Sequence, residues 1–287
     1  AAPLADVIKT GNETLINPAK TALLTIEGRI VTDEVAKALP QSPINSRIAF
    51  IEILAKRKAT EHSDLIFTEA TNADSNIRLA AAIALQQIAV ADDAEKIATL
   101  LNKASGNNEI TALQDALYAS VKQSGNQDMQ VALTESLMNK SGYNQLRYYS
   151  VFAKTGGTKS LSIVENAFEK GNPDQKKAAL KALTQWSDYS ALDALFRIGK
   201  NDADTKFRAM ALESFISGIN QSKNTTDQKV LMFRKAMELA LTSDHKKLVL
   251  QEISKNSTLL SLVFVAQFLD NAELQQDAVQ SVNAIIL

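Results

Sequence analysis

The residues best suited to recognition chemistry are crowded into one quarter of the chain. All five Tyr and the single Trp fall between positions 118 and 189, as Tyr118, Tyr143, Tyr148, Tyr149, Trp186 and Tyr189, with Arg147 among them. Tyr, Trp and Arg are the side chains that carry most of the energy at protein interfaces. Their concentration predicts a binding surface built from Arg147, Tyr148, Tyr149, Trp186 and Tyr189. A core reading competes with it. Trp186 follows Ala179, Ala182 and Leu183 at helical spacing, and the adjacent Tyr148 and Tyr149 cannot both face a core squarely.

Reactive constellations are missing. The run Thr155-Gly156-Gly157-Thr158-Lys159-Ser160 has the glycines and the Lys-Ser of a phosphate-binding loop. However, Thr158 breaks the required Gly-Lys-Ser/Thr order and no strand pattern precedes it, so an inter-helix turn is the better reading. The two histidines, His62 and His245, lie far apart with no His or Cys at metal-ligand spacing. No pair of carboxylates stands where their pKa values would be driven apart. The sequence therefore points to no catalytic residue, no metal and no cofactor, and to a chain that is not an enzyme by itself.

Composition explains what these residues must be mounted on. Hydrophobic residues make up 45% of 287, enough to fill an extended core, while 10 Gly and 5 Pro are too few for a loop-rich or all-β chain. Lys and Arg total 31 against 32 Asp and Glu, a formal net charge of −1. A protein gripping nucleic acid through its phosphates carries a clear basic excess, so nucleic acid is not an expected partner. The longest apolar stretch, near residues 259–269, is too short to span a bilayer, so no membrane insertion is expected. Without Cys there is neither a disulfide nor a thiolate to consider.

Punctuation along the chain is that of many short helices. Lys-x-x-Gly-Asn-like stops recur at Lys103–Asn107, Lys122–Asn126, Lys170–Asn172 and Lys9–Asn12. Lys in the last turn faces the negative end of the helix dipole, Gly takes a left-handed terminal conformation, and Asn caps the next helix. Asn17-Pro18 and Asn172-Pro173 place Pro where a first helical position is expected. Between these marks the apolar residues step by three and four, as in Ile77, Ala81, Ala84, Leu85 and Ile88.

These helices repeat. The segment Arg78 to Leu85 aligns without gaps over Lys176 to Leu183, Arg208 to Phe215 and Arg47 to Leu54. Weaker copies end on Leu117, Phe152, Ile253 and Val282. A period of about 30–40 residues with two helices each is the signature of a helical solenoid. Second helices are predicted to begin near positions 43, 74, 108, 142, 173, 203, 244 and 271, and the longest irregular connection is predicted at 220–227. Neither the tetratricopeptide nor the ankyrin signature is present.

Asp74-Ser75-Asn76-Ile77-Arg78-Leu79-Ala80-Ala81-Ala82-Ile83-Ala84-Leu85 resembles the second helix of a bacterial HEAT repeat, and Asp202 to Ala209 resembles it also. The resemblance covers residues 31–287. It implies a right-handed α-solenoid of stacked helix pairs, a HEAT/armadillo-like superhelix of about eight pairs, after an irregular helical N-terminal cap over 1–30. It also implies that Asp74 and Asp204 cap their helices, and that Arg78 and Arg208 reach neighbouring repeats.

Such a fold presents a surface. The function expected is a non-catalytic scaffold binding a protein or a neighbouring domain of the same polypeptide. An alternative is the accessory HEAT region of a larger secreted, carbohydrate-active hydrolase. A HEAT-like DNA glycosylase is disfavoured by the near-neutral charge. The start Ala1-Ala2-Pro3 favours a processed periplasmic or secreted protein, or a domain fragment. On the last helix Val279, Val282 and Ile286 are expected to face inward, leaving Ile285 and Leu287 for further protein to cover.

Overall fold

The computed structural model describes all residues from Ala1 to Leu287 and contains helices and no strand. It divides into two compact units, Ala1–Val151 and Phe152–Leu287. In the first, α1 (Ala2–Lys9) and α2 (Glu13–Thr25) form a helical hairpin over the segment expected to be irregular. Pairs α3 (Ile30–Ala38) with α4 (Ile44–Lys56), α5 (Ser63–Glu69) with α6 (Ser75–Ile88), and α7 (Ala94–Lys103) with α8 (Asn107–Val121) follow, then α9 (Gln127–Asn139). The second helices stack in series, α4 on α6 and α6 on α8.

After α10 (Tyr149–Thr155), which carries the unit boundary, the second unit repeats the scheme. Its pairs are α11 (Gly157–Lys170) with α12 (Pro173–Thr184), α13 (Leu192–Asn201) with α14 (Thr205–Ile219), α15 (Thr226–Leu239) with α16 (Ser243–Ile253), and α17 (Leu259–Ala266) with α18 (Gln275–Ile286). Here α12, α14, α16 and α18 stack in series. The fold is thus an all-α stack of helix pairs, a solenoid in its local packing.

Polar bonds between neighbouring repeats keep the same period. Lys20 Nζ reaches Glu52 Oε2 at 2.6 Å and Asn45 Nδ2 reaches Glu13 Oε1 at 2.7 Å, both across 32 residues. In the second unit Asn220 Nδ2 donates to the Glu252 carbonyl at 2.7 Å, again across 32, and Ser281 Oγ to the Leu250 carbonyl across 31. The large residues that end the repeats form the core beneath them: Leu54, Leu85, Leu117, Phe152, Leu183, Phe215 and Ile253 are all buried.

Capping accounts for where the helices begin. Asp74 Oδ1 accepts from the Asn76 and Ile77 amides, Asp204 Oδ1 from the Lys206 amide, and Asn172 Oδ1 from the Gln175 amide. Seven of the eight predicted starts fall within four residues of a helix start. The other, at 142, opens as a 3-10 stretch over Gly142–Tyr148 before α10. The motif arginines are absorbed by the fold: Arg47 pairs with Glu69 at 2.8 Å and Arg78 with Glu109 at 3.2 Å, each in the next pair, whereas Arg208, contrary to expectation, stays within its own pair, its Nε donating to the Gly199 carbonyl of α13 at 3.1 Å.

Four local expectations need correction. Pro18 lies inside α2, because the Asn12 cap starts that helix earlier. Among the stop glycines, Gly106 and Gly171 keep negative φ, with Gly106 at the start of α8. The longest connection without helix is 267–274, since the Thr225 cap starts α15 at Thr226 and shortens the expected one to 220–225. On α18 the inward residues are Ala278, Ser281 and Ile285, with Val279 and Ile286 exposed. The Ser281 hydroxyl bond to the Leu250 carbonyl accompanies this rotation, and apolar spacing alone does not encode it.

Candidate functional site

The expected aromatic surface does not form as a whole. Tyr148 is fully buried, its hydroxyl 3.3 Å from Asn102 Oδ1, and burial pushes its phenol above the usual pKa. Tyr149 is buried beside it. Arg147 is half-buried, with a guanidinium nitrogen donating to the Leu101 carbonyl. Two adjacent tyrosines can both sink because the backbone changes from 3-10 to α winding between them. Tyr148 and Tyr149 thus pack inside, and the Arg147 guanidinium is bonded to backbone. Tyr143 is fully exposed and isolated at the start of the same 3-10 stretch, and Tyr118 lies half-buried under the Lys122 ammonium.

Trp186 and Tyr189 are differently placed. Helix α12 stops at Thr184, so Trp186 lies on the connection to α13 instead of on the helical stripe. Tyr189 opens the short 3-10 turn Tyr189–Ala191 and keeps 38% of its surface exposed. Two open cavities flank it. The first, about 370 Å³, is lined by Trp186 and Leu195 with Ser214, Ser217 and Gln221 of the α14 side. The second, about 950 Å³, is lined by Ser190, Ser222, Asn224 and Gln228 with Leu231 and Met232 of α15. Asp188, Tyr189 and Leu192 line both, so Tyr189 stands on the wall that the two adjoining cavities share, and together they form the Tyr189 groove.

A latch holds the connection that carries these rings. Asp188 Oδ1 accepts the Ser190 amide at 2.8 Å and Oδ2 accepts the Gly157 amide at 2.9 Å, while the Ser187 amide donates to the Ala153 carbonyl at 3.0 Å. The Gly-Gly turn thus meets a carboxylate from its own chain at the α11 N-terminus, where a phosphate-binding loop would meet its ligand. Gly156 has φ +70°, and a Cβ there would lie 2.5 Å from Asp188 Oδ2. Burial works against the Asp188 charge, but the Ser190 and Gly157 donors outweigh it and hold the carboxyl below its usual range. The buried Trp186 indole N–H adds to the same effect without a hydrogen bond of ordinary geometry.

Gly156→Ala is expected to cost about 1–3 kcal/mol, from a left-handed residue forced onto the latch. Because Trp186 is the only Trp, its emission reports the loop directly. The emission should shift red in the variant while far-UV circular dichroism is retained; an unshifted spectrum would mean that the latch does not position the loop. Wild-type pH behaviour gives a second reading. A carboxyl whose folded pKa is depressed contributes stability above its unfolded pKa, near 3.9, and loses it as pH falls through the lower folded value. Trp186 emission should therefore hold steady from neutral pH to about 4 and change only below.

The histidines serve the fold. His62 Nε2 lies 3.1 Å from Asp33 Oδ1. His245 is buried, with Nδ1 accepting from the Leu241 amide at 3.3 Å and Nε2 3.3 Å from Glu213 Oε1. No group of three or more His, Asp and Glu side chains converges, and no helix is long and apolar enough to cross a membrane.

No protein-family model matches the sequence, and no curated protein matches it. Among solved structures, similar chains include one from the complex of CpcE and CpcF of phycocyanin lyase from Nostoc sp. PCC7120, with 15% identity, a TM-score of 0.41, and 83% of this chain and 93% of that one covered. Escherichia coli YibA has 14% identity and a TM-score of 0.42, covering 93% and 96%. Human deoxyhypusine hydroxylase in complex with glycerol has 10% identity and a TM-score of 0.33, covering 99% and 95%. The fold described above rests on the chain's own helices and bonds.

Proposed function

We propose that this chain is a non-catalytic helical-repeat scaffold of the HEAT type, which binds a polypeptide, either a partner protein or a neighbouring domain, along the Tyr189 groove. HEAT membership is supported by the Asp74 cap and by the Arg78 link to Glu109 in the next pair. The observation that carries the binding role is the partly exposed Tyr189 between two cavities whose walls mix hydroxyls and amides with leucines and a methionine. Rigid aromatic rings supply contact area at low entropic cost, and Ser, Asn and Gly supply adaptable hydrogen bonds; binding loops of antibodies use the same mixture.

Peptides selected by display against the intact chain provide the probe. Tyr189→Ala is expected to weaken them by about 1–2 kcal/mol or more, the range of an interface hot spot, with far-UV circular dichroism retained, because the side chain is partly exposed and outside the long helices. Selected peptides that bind Tyr189→Ala as tightly as the parent would remove the groove from consideration.

A further inference from the structure

The larger half of the groove has a chemical polarity. Its α15 wall presents Leu231, Met232 and Lys235, and the turn before α15 adds Lys223. Leu231 is 55% exposed, and it shares a helix face with Lys235 four residues on. Neither Lys223 nor Lys235 makes an ion pair or a hydrogen bond, whereas nearby Lys229 donates to the Asn220 carbonyl at 2.8 Å. Of the two carboxylates in this cavity, Asp188 is occupied by backbone amides and Asp193 belongs to α13, with no ion pair to either lysine.

We infer that the groove selects a polypeptide segment in which an acidic residue sits beside an aliphatic or aromatic one. The carboxylate meets Lys223 and Lys235, and the apolar side chain lies over Tyr189, Leu192 and Leu231. This rests on the binding role proposed above. A continuous polyanion is a poor occupant, because Asp193 and, in the adjoining cavity, Glu213 would repel phosphates further along. The carboxylate lies against a charged pair at an open rim, so it sets partner choice and salt dependence more than total affinity.

Random peptides displayed against the intact chain, then measured in solution, test this. Enrichment of Asp or Glu next to Leu, Ile, Phe or Tyr is expected. Lys223→Glu combined with Lys235→Glu should weaken the selected peptides at least ~10-fold in low salt, since like charges across an interface are strongly unfavourable. The deficit should shrink as added salt screens the exposed charges. Both lysines are exposed, so the fold should persist; Lys223→Gln with Lys235→Gln provides a neutral control that should fall between the parent and the reversed variant. Peptides without acidic residues, or with unaltered affinity for the reversed variant, overturn the acidic preference and leave the binding role standing if Tyr189→Ala still weakens them. Failure to select any peptide that depends on Tyr189 overturns both.

Discussion

Leu183→Ala is expected to destabilise the second unit by about 2–5 kcal/mol. Leu183 lies on α12, fully buried, and closes the inner wall of two cavities, one towards Trp186 and one towards Phe168 and Ile198. Deleting its branch loses the transfer energy of the removed atoms and merges space that the flanking helices cannot fill without moving, so the upper part of that range applies. Leu85 is the equivalent residue of the first unit, fully buried on α6 between α4 and α8, and Leu85→Ala should cost a similar amount. Lys181, two residues before Leu183, points to solvent, and Lys181→Ala should change stability by less than about 0.5 kcal/mol. Urea denaturation followed at 222 nm separates the outcomes. A Leu183→Ala loss of less than about 1 kcal/mol would mean that α12 repacks freely, contrary to a stack in which each second helix is clamped by the next.

The architecture was legible because its signals are local. Asp74, Asp204 and Asn172 bond to amides two or three residues away, so a reader of the sequence sees both partners together. The stripe residues repeat on a helical period for the same reason. The site was legible in part. Tyr189 was singled out by type, and the structure exposes it; Tyr148 and Tyr149 were singled out with it and are buried. What separates them is a 3-10 to α transition, which has no strong residue signature. Asp188 was missed entirely. Its role depends on Gly157, 31 residues earlier, and nothing in either segment names the other. One signal was available: two consecutive glycines before a helix often mark a close approach, and the approaching group here is that carboxylate.

The motif arginines show how much can hang on such a distant pairing. Arg47 Nη2 donates to Glu69 Oε1 at 2.8 Å, and Glu69 also accepts from Asn72 Nδ2 at 3.2 Å. The carboxylate is the buried member, with 2% of its side chain exposed against 23% for Arg47. Removing the guanidinium therefore does more harm than removing the carboxylate. Arg47→Met keeps the apolar stem but leaves a buried anion with only an amide to compensate it, and should cost roughly 3–5 kcal/mol. Glu69→Gln retains an acceptor and leaves a guanidinium that can turn towards water, so its cost should be smaller, about 1–2 kcal/mol. In the double variant the stranded charge is gone, and the two losses should not add. A double-mutant cycle by urea denaturation should return a coupling energy of about 1–3 kcal/mol. Additive losses would show that Arg47 and Glu69 act independently, and that the Arg of this repeat is retained for its surface and not for the bond it makes to the next pair.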